Sequence, residues 1–255
     1  MYIDTHVHLN SDTLFSNLEH YIEKARKAHI QQMIVIGYDH ESNRRALDIA
    51  SRYDNIYAAV GYHPTEAKSL TDSDLDVLDQ LLKHEKVVAI GECGLDFYWD
   101  KEHEDKQITL FEKHIVRSKT LNIPLVIHMR DATNKTYETL KKHAPVRGVM
   151  HCYSGSVEMA QRFIDLGLHI SLGGPVTFLN AKTPKPVAES VSLERLLIET
   201  DAPYLAPHPY RGKQNDSSYL PLIAKAIAEL KHINVETVAR QTTDNAIKLF
   251  KLKEE

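Results

Sequence analysis

The sequence predicts an α/β protein, and its 255 residues are expected to form one domain, a single (β/α)8 TIM barrel over positions 1–255. The length agrees with the ~250 residues that such a barrel typically takes. Short apolar runs alternate with longer stretches of helical period, as in βα units around a parallel sheet. Eight such runs are present, and nearly all of them end at a histidine or an acid. A barrel gathers those strand ends at one mouth, whereas an open sheet would spread them out.

The eight predicted strands are, in chain order, Tyr2–Thr5, Gln32–Ile36, Ile56–Val60, Val87–Ile90, Leu125–Ile127, Gly148–His151, His169–Leu172 and Leu196–Glu199. The stretches between and after them place apolar residues at helical spacing, which predicts helices that bury one face against the sheet. These helices are Leu18–Ala28, Ser42–Arg52, Asp74–Lys83, Asp105–Thr120, Thr133–Lys142, Val157–Leu166, Leu220–Leu230 and Val235–Phe250. Periodicity alone does not separate a closed barrel from an open sheet, so the strand count and the strand endings decide between them.

Composition excludes several classes of protein. The hydrophobic content of 42% and the charged content of 26% are near the averages of globular domains. The net charge of −4 argues against a protein that coats nucleic acid, although a local cluster of cations could still bind phosphates. We find no pattern of a secretion signal or membrane span and no evident obligate protein partner. With only two cysteines, we expect a soluble, cytoplasmic protein that does not associate with membranes.

Two histidines stand two residues apart at the end of the first predicted strand. Because side chains alternate along a strand, His6 and His8 are expected on the same face, where they could share a metal ion. Taken alone, the pair is equally typical of two partly exposed histidines. The other strand ends give it weight.

Three further strand ends carry residues that bind metals. Glu92 follows a run so apolar that an unpaired charge there would be costly, and a metal ion would neutralise it. His128 and His151 end the next two runs in the same way. Singly, each of these histidines is more often a satisfied core residue than a ligand, and the glutamate could instead pair with a basic residue. Together they predict a second metal site.

Asp201 completes the predicted constellation. It lies just beyond the last apolar run, and Pro203 restricts the turn after it. Its carboxylate could bind the same ion as His6 and His8 and accept a proton from water, although an aspartate that forms a turn before a proline is also common. Ligands of nitrogen and oxygen without thiolate suit Zn²⁺, Mn²⁺, Co²⁺ or Mg²⁺.

Six sequence blocks identify a family resemblance. They are Ile3–Leu9, Gly61–Pro64, Ile90–Asp96, His128–Ala132, His151–Gly155 and Glu199–Leu205. In this order and over essentially the whole chain, they resemble the TatD family of metal-dependent deoxyribonucleases, which belongs to the amidohydrolase-like barrels. The resemblance implies one metal ion held by His6, His8, Glu92 and Asp201. It implies a second ion held by Glu92, His128 and His151, with His63 and Glu199 supporting binding and catalysis.

The resemblance and the residue types together predict how the substrate is handled. We predict four catalytic residues, Asp201, Glu92, His63 and Glu199. We predict phosphate contacts at His63, Arg130, Arg211 and Lys213, because arginine can bind a phosphate through two donors and lysine as a point charge. Tyr98 and Trp99 could stack on a base at a single-stranded end, or simply pack within their loop.

Two segments depart from the pattern of the family. Gln214–Ser217 replaces an Arg-Asn-Glu-Pro stretch, and Leu179 stands where a lysine is frequent. Neither change touches a predicted ligand, so they bear on substrate preference and leave metal binding unaffected.

The predicted function is therefore a divalent-metal-dependent hydrolase, a TatD-type deoxyribonuclease of 3′–5′ exonuclease character with two metal ions and DNA as a transient partner. One alternative is hydrolysis of another small ester, phosphoester or cyclic amide. Related barrels of that kind frequently carry a lysine on the fourth strand, where this chain has Glu92. A second alternative is a non-catalytic binding module, which a complete ligand set disfavours.

Overall fold

The computed structural model describes residues 1–253, and in it the eight strands form one parallel sheet in sequence order, β1 to β8. The strands are Tyr2–Val7, Ile30–Ile36, Ile56–Val60, Val87–Asp96, Leu125–Arg130, Gly148–Met150, Leu168–Leu172 and Leu196–Ile198. Each strand pairs in parallel with the next. The sheet curls into a nearly closed barrel with helices between the strands. The predicted fold class is confirmed.

Ten helices, α1 to α10, connect and cover the strands in the described part of the chain. They are Asp12–Phe15, Leu18–Lys27, His40–Arg52, Asp72–Leu81, Glu104–Leu121, Thr133–Lys142, Val157–Asp165, Pro184–Ser190, Leu220–Lys231 and Val235–Phe250. Two of them, α1 and α8, are absent from the sequence prediction. None of the helices formed by residues 1–253 is long and apolar enough to cross a membrane.

The first and last strands meet through a small set of hydrogen bonds that also position the mouth of the barrel. The Asp201 amide donates to the His6 carbonyl at 2.9 Å, and the His8 amide donates to the Ala202 carbonyl at 2.8 Å. Deeper in the barrel, the Thr5 hydroxyl donates to the Ile198 carbonyl at 2.9 Å. The closure of the barrel therefore fixes Asp201 beside both histidines of β1.

Two apolar clusters hold the barrel together. The larger one fills the space between the strands and the surrounding helices. The smaller one lies inside the barrel and includes Ile34, Val126 and Leu197, against which Leu249 and Phe250 of α10 pack. Since α10 covers the end at which the strands begin, the opposite end remains as the mouth. The buried polar residues of the strand ends lie there.

β4 is longer than predicted. The sequence analysis ends this strand at Ile90, but the strand continues to Asp96 with an irregular register between Ile90 and Cys93. A Cβ atom at Gly94 would lie 2.0 Å from the His128 carbonyl oxygen. The glycine therefore lets β4 approach β5 closely, which is one of the uses of glycine inside a strand.

A buried histidine makes the stability of the fold dependent on pH. His114 of α5 is fully buried, its Nδ1 lies 2.8 Å from the Leu110 carbonyl, and its Nε2 accepts a hydrogen bond from the Tyr62 amide. Burial lowers the pKa of His114 to about 4, against 6.5 for an unperturbed histidine. The neutral form therefore stabilises the fold. This contribution is complete above pH 6.5 and is lost as the pH falls from there toward 4.

We expect His114 to account for about 2 kcal/mol of lost unfolding free energy between pH 7.5 and pH 5. Urea unfolding of the wild type and of His114→Gln at both pH values checks this. The variant should be less stable at pH 7.5, and it should lose less stability on acidification than the wild type. An equal loss in the two proteins would mean that other groups cause the pH dependence.

Candidate metal centre and active site

Three side chains, those of His6, His8 and Asp201, converge on one side of the Glu92 carboxylate. The Nε2 atoms of His6 and His8 lie 3.2 Å apart, and both face Oδ1 of Asp201, at 3.6 and 3.4 Å. Oε2 of Glu92 lies 3.7 and 3.9 Å from the same two nitrogens. The fold thus brings together the four residues that the sequence assigns to the first metal ion.

The other oxygen of the same carboxylate faces a second group of imidazoles. Oε1 of Glu92 lies 2.8 Å from Nδ1 of His128, 3.1 Å from Nε2 of His151 and 3.8 Å from Nε2 of His63. Glu92 is only 5% exposed and stands between the two groups of histidines. Each of its oxygens therefore serves a different set of nitrogen atoms.

Two buried carboxylates fix the orientation of the second group. Nε2 of His128 lies 3.0 Å from Oδ2 of Asp96, and Nδ1 of His151 lies 3.3 Å from Oε1 of Glu199. Each of these nitrogens carries the proton that it donates outward. The opposite nitrogen of each ring then points at Glu92, which is how histidines that bind metals are oriented in proteins.

His8 is held in the same manner by a backbone group. Its Nδ1 lies 3.1 Å from the Ile36 carbonyl oxygen at the end of β2, so this nitrogen carries the proton and Nε2 is free for a ligand. Nδ1 of His6 is buried and has no hydrogen-bond partner among the described residues. The two inward nitrogens oppose each other at 3.2 Å, a contact that a cation between them would make favourable.

The pKa values show how the side chains compensate one another's charge. Burial raises the pKa of Glu92, but the His151 and His128 imidazoles outweigh this effect and hold it well below its usual range. Burial lowers the pKa of His151, but Glu92 and Glu199 raise it well above the ordinary value. Without a cation, a proton on His151 therefore offsets the charge of the Glu92 carboxylate. A divalent cation would take over this role.

The residues present fit a divalent cation. Ligand atoms 2.0–2.1 Å from a tetrahedral zinc ion would lie roughly 3.3 Å from one another. The inward nitrogens of His6 and His8 lie 3.2 Å from each other and 3.4 to 3.9 Å from the nearest oxygens of Asp201 and Glu92. His6, His8 and Glu92 form a group that could hold a metal ion, and so do His63, Glu92 and His128. These groups offer nitrogen and oxygen and no thiolate.

The cluster lies at the floor of a cavity of about 610 Å³ at the barrel mouth. Its rim carries aromatic side chains, namely Tyr38, Trp99 and Tyr204. Arg130 also lines the cavity, and its guanidinium lies 3.9 Å from the centre of the Tyr98 ring. Trp99 is 67% exposed, so its ring is available to a flat ligand.

Two predicted substrate contacts lie elsewhere. Neither Arg211 nor Lys213 lines the cavity. Arg211 stacks over the Phe178 ring at 4.3 Å and donates to the Asn180 side chain at 3.0 Å. Lys213 is fully on the surface. The structure places His63 and Arg130 at the cavity and leaves Arg211 and Lys213 outside it.

Glu199 lies behind His151, and its predicted catalytic role stays a prediction. It is completely buried behind His151, where its Oε1 also accepts a hydrogen bond from the Cys152 amide at 2.7 Å. It lines neither the cavity nor its rim. Its contacts orient His151, and together with His6 and His151 it forms a further group that could hold a metal ion.

Asp96 was missed as a site residue. Period two along β4 places Glu92, Gly94 and Asp96 on one face, and the sequence would have revealed this if the strand had been extended past Ile90. Oδ2 of Asp96 faces His128, while its Oδ1 accepts from the backbone amides that begin the aromatic rim. The Asp96 carboxylate therefore contacts both the histidine cluster and the backbone of the aromatic rim. Tyr38 and Tyr204 were missed too, since nothing in their spacing marks them.

We expect Asp96→Asn to weaken divalent-metal binding by roughly 10- to 100-fold, the usual effect of losing a partner behind a histidine ligand. An asparagine has one acceptor oxygen, so it cannot serve both His128 and the Tyr98 and Trp99 amides. Calorimetric titration with Zn²⁺ measures the change. Asp100→Asn, in the same loop but bonded to a distant histidine, is the matched control. Equal affinities in the three proteins would contradict this role for Asp96.

Similarity to known proteins identifies the family of this chain. A family model described as "TatD related DNase" matches residues 3–251. The chain belongs to the TatD family. It is 45% identical over 254 residues to the uncharacterized metal-dependent hydrolase YabD of Bacillus subtilis, covering 99% of this chain and 100% of that one. It is 36% identical to YcfH of Escherichia coli, another uncharacterized metal-dependent hydrolase, over 97% and 95% of the two chains.

Solved structures of TatD proteins are similar throughout. The TatD homologue YjjV of Escherichia coli superposes with a TM-score of 0.94 at 31% identity, covering 99% of this chain and 98% of that one. A TatD-family hydrolase of Entamoeba histolytica, at 21% identity and a TM-score of 0.89, shares the fold over 99% and 98% of the chains. This TatD-family protein is therefore a metal-dependent hydrolase with groups of His and Glu residues suited to a metal.

Proposed function

We propose that this TatD-family hydrolase is a deoxyribonuclease that removes nucleotides from a DNA strand, in the 3′–5′ direction. The observation that carries the proposal is the Glu92 carboxylate, whose two oxygens face two separate sets of imidazole nitrogens at the floor of an open cavity. Such an arrangement suits two cations that share one anionic ligand. Two-cation centres are well adapted to phosphodiester hydrolysis.

His6, His8, Asp201 and Glu92 would hold one divalent ion, and Glu92, His128 and His151 a second. When bound, the ions would lower the pKa of water and offset negative charge that develops on the phosphoryl oxygens. The donors suit Zn²⁺, Mn²⁺, Co²⁺ or Mg²⁺, since no thiolate takes part. Glu199 and Asp96 orient the histidines of the second set from behind.

Asp201 is the proton acceptor in this proposal. Its carboxylate is 9% exposed and faces the cavity beside His6 and His8. Its backbone lies in the left-handed region with φ of 54°, a strained conformation of the kind that clusters at active sites. The water oxygen bonds to phosphorus while its proton passes to Asp201. The P–O3′ bond breaks, its electron pair stays on O3′, and the proton from Asp201 can then return to that oxygen.

The neutral imidazole of His63 is suited to a phosphate oxygen. Burial lowers the pKa of His63 to about 4, so the ring is neutral near pH 7. Its Nδ1 lies 2.7 Å from the Thr65 hydroxyl, and its Nε2 points toward Glu92 and the cavity. A proton on Nε2 would make His63 a hydrogen-bond donor to the substrate.

The cavity rim supports a single-stranded substrate. Trp99 and Tyr204 are more than half exposed, and Arg130 stacks against Tyr98 at the same edge. Aromatic faces bind the bases of single strands by stacking, at about 1–3 kcal/mol per base, without selecting a sequence. Arg130 would supply a phosphate contact next to this platform.

A second candidate is hydrolysis of a small phosphoester, ester or cyclic amide. One observation favours it, because Arg130 is the sole lysine or arginine among the residues that line the cavity. One basic side chain would contribute little to binding a DNA strand that carries several phosphates. It would suffice for a substrate that carries a single phosphate.

The test is release of nucleotides from 3′- and 5′-labelled single-stranded DNA, with EDTA, Mg²⁺, Mn²⁺, Co²⁺ and Zn²⁺ in parallel. The proposal predicts release that depends on a metal and begins at the 3′ end. No release by protein shown to be loaded with metal would contradict it. A panel of small phosphodiesters, lactones and cyclic amides would then test the second candidate.

A further inference from the structure

A second cavity adjoins the cluster on the side of β5 to β8. Its volume is about 300 Å³, and it shares five lining residues with the main cavity, namely His128, Arg130, His151, Asp201 and Leu205. Its other lining residues are Met129, Cys152, Tyr153, Ser154, Leu172, Gly173, Pro175, Val176 and Pro184. The metal cluster therefore lies between a large cavity and a small one.

We propose that the small cavity is a pocket for the terminal nucleoside of the DNA strand. The inference rests on the proposed nuclease function. A phosphate at the shared residues would carry two ester groups, and the two cavities offer them separate directions. The nucleoside on the 5′ oxygen of that phosphate enters the small pocket, and the rest of the strand lies in the large cavity beneath the aromatic rim.

The walls of the pocket suit one nucleoside and no more. Sites for small molecules usually measure about 300–1,000 Å³, so this pocket is at the lower limit. Apolar side chains, among them Val176 and Pro184, provide surfaces for the faces of a base. Tyr153 and Leu172 also line the pocket and are buried. Since its volume matches one nucleoside, the proposal places only the last nucleotide of the strand in it.

Gly173 lines this pocket and is a position at which the pocket volume can be changed by substitution. Its backbone is extended, with φ of −109°. The atom nearest to a Cβ atom placed there would be the Glu199 carbonyl oxygen, at 3.5 Å. A methyl group is therefore compatible with the fold at Gly173. Because Gly173 lines the pocket, larger side chains there are expected to reduce its volume. Gly174 differs, because a Cβ atom there would meet the Leu205 carbonyl oxygen at 1.8 Å.

The experiment compares two chromogenic diesters, thymidine 5′-(p-nitrophenyl phosphate) and methyl p-nitrophenyl phosphate. Both lose the same p-nitrophenolate, and they differ only in the group expected in the pocket. The readout is the ratio of their kcat/KM values with Mn²⁺. We expect the wild type to prefer the thymidine ester by roughly 10- to 100-fold, from the worth of packing one base.

Three variants increase the volume at one position, Gly173→Ala, Gly173→Val and Gly173→Leu. The preference should fall in that order and should be lost in the leucine variant. Glu66→Gln, which changes a residue that lines the large cavity and not the small one, should leave the ratio as in the wild type. Because the ratio cancels any general loss of active enzyme, damage to folding cannot imitate the result, and the alanine variant adds little volume.

An unchanged ratio in the Gly173 series, or a wild type without preference for the thymidine ester, would overturn the pocket while leaving the nuclease proposal intact. If the metal-loaded wild type hydrolyses neither diester and releases nothing from DNA, the proposed function itself fails. The two failures are therefore distinguishable.

Discussion

Replacing Glu92 by glutamine is expected to lower nuclease activity by roughly 10³-fold or more, the largest effect of any single change at the site. Glutamine has nearly the same shape, but it presents one neutral oxygen and one NH₂ group in place of two anionic oxygens. It therefore cannot serve both sets of histidines, of which one faces Oε2 and the other faces Oε1 in the wild type. Steady-state release of labelled nucleotides at saturating Mn²⁺ measures the loss.

Glu66→Gln is the matched control for that experiment. Glu66 is an acid that lines the same cavity, but it belongs to neither group of converging side chains. We expect this variant to keep most of the wild-type rate. Glu92→Gln at wild-type activity, with the protein folded and loaded with metal, would contradict the central place given to Glu92.

Asp201→Asn is expected to lower kcat by roughly 10²- to 10⁴-fold, the range for loss of a general base, with a smaller change in KM for DNA. The amide cannot accept the proton of water, although it can still contact a cation through its oxygen. Single-turnover cleavage with excess enzyme separates this effect on chemistry from binding. A change in KM alone, with an unchanged rate constant for cleavage, would assign the proton to another group.

Asp131→Asn is the control for the unusual backbone conformation of Asp201. Asp131 follows β5 and has a φ of 53°, nearly the same left-handed conformation as Asp201 with 54°. Asparagine tolerates this conformation well, so neither substitution should disturb the chain. Asp131→Asn should leave the rate close to that of the wild type, which would show that loss of the carboxylate, and not strain, causes the effect at Asp201.

The barrel and the convergence of the site's side chains could be predicted because most of the strands end at a histidine or an acid. His6, Glu92, His128, His151 and Asp201 are far apart in sequence, but parallel strands in a closed barrel must gather their ends at one mouth. Once the fold was inferred, the convergence of these residues followed. The structure adds which oxygen of Glu92 faces which histidine, and this depends on side-chain rotation that spacing does not determine.

Other features could not be predicted, for identifiable reasons. Asp96 was hidden because glycine normally weakens a strand, and only the close approach of β4 to β5 explains why Gly94 continues it. The helix Pro184–Ser190 has prolines at its first and third positions and lacks a clear apolar period. It nevertheless contributes Pro184 to the lining of the small pocket. Arg211 lies outside the cavity because its loop packs on Phe178. Long-range packing, which no local pattern encodes, decides all three.

The most direct test of the account is the number of divalent cations that one chain binds. Calorimetric titration with Mn²⁺, joined with electron paramagnetic resonance of the loaded protein, gives both the number and the proximity of the ions. The account predicts two equivalents per chain with the spectrum of a coupled pair, since a single carboxylate would join them. One equivalent, or two ions without coupling, would contradict the claim that Glu92 links two cation sites.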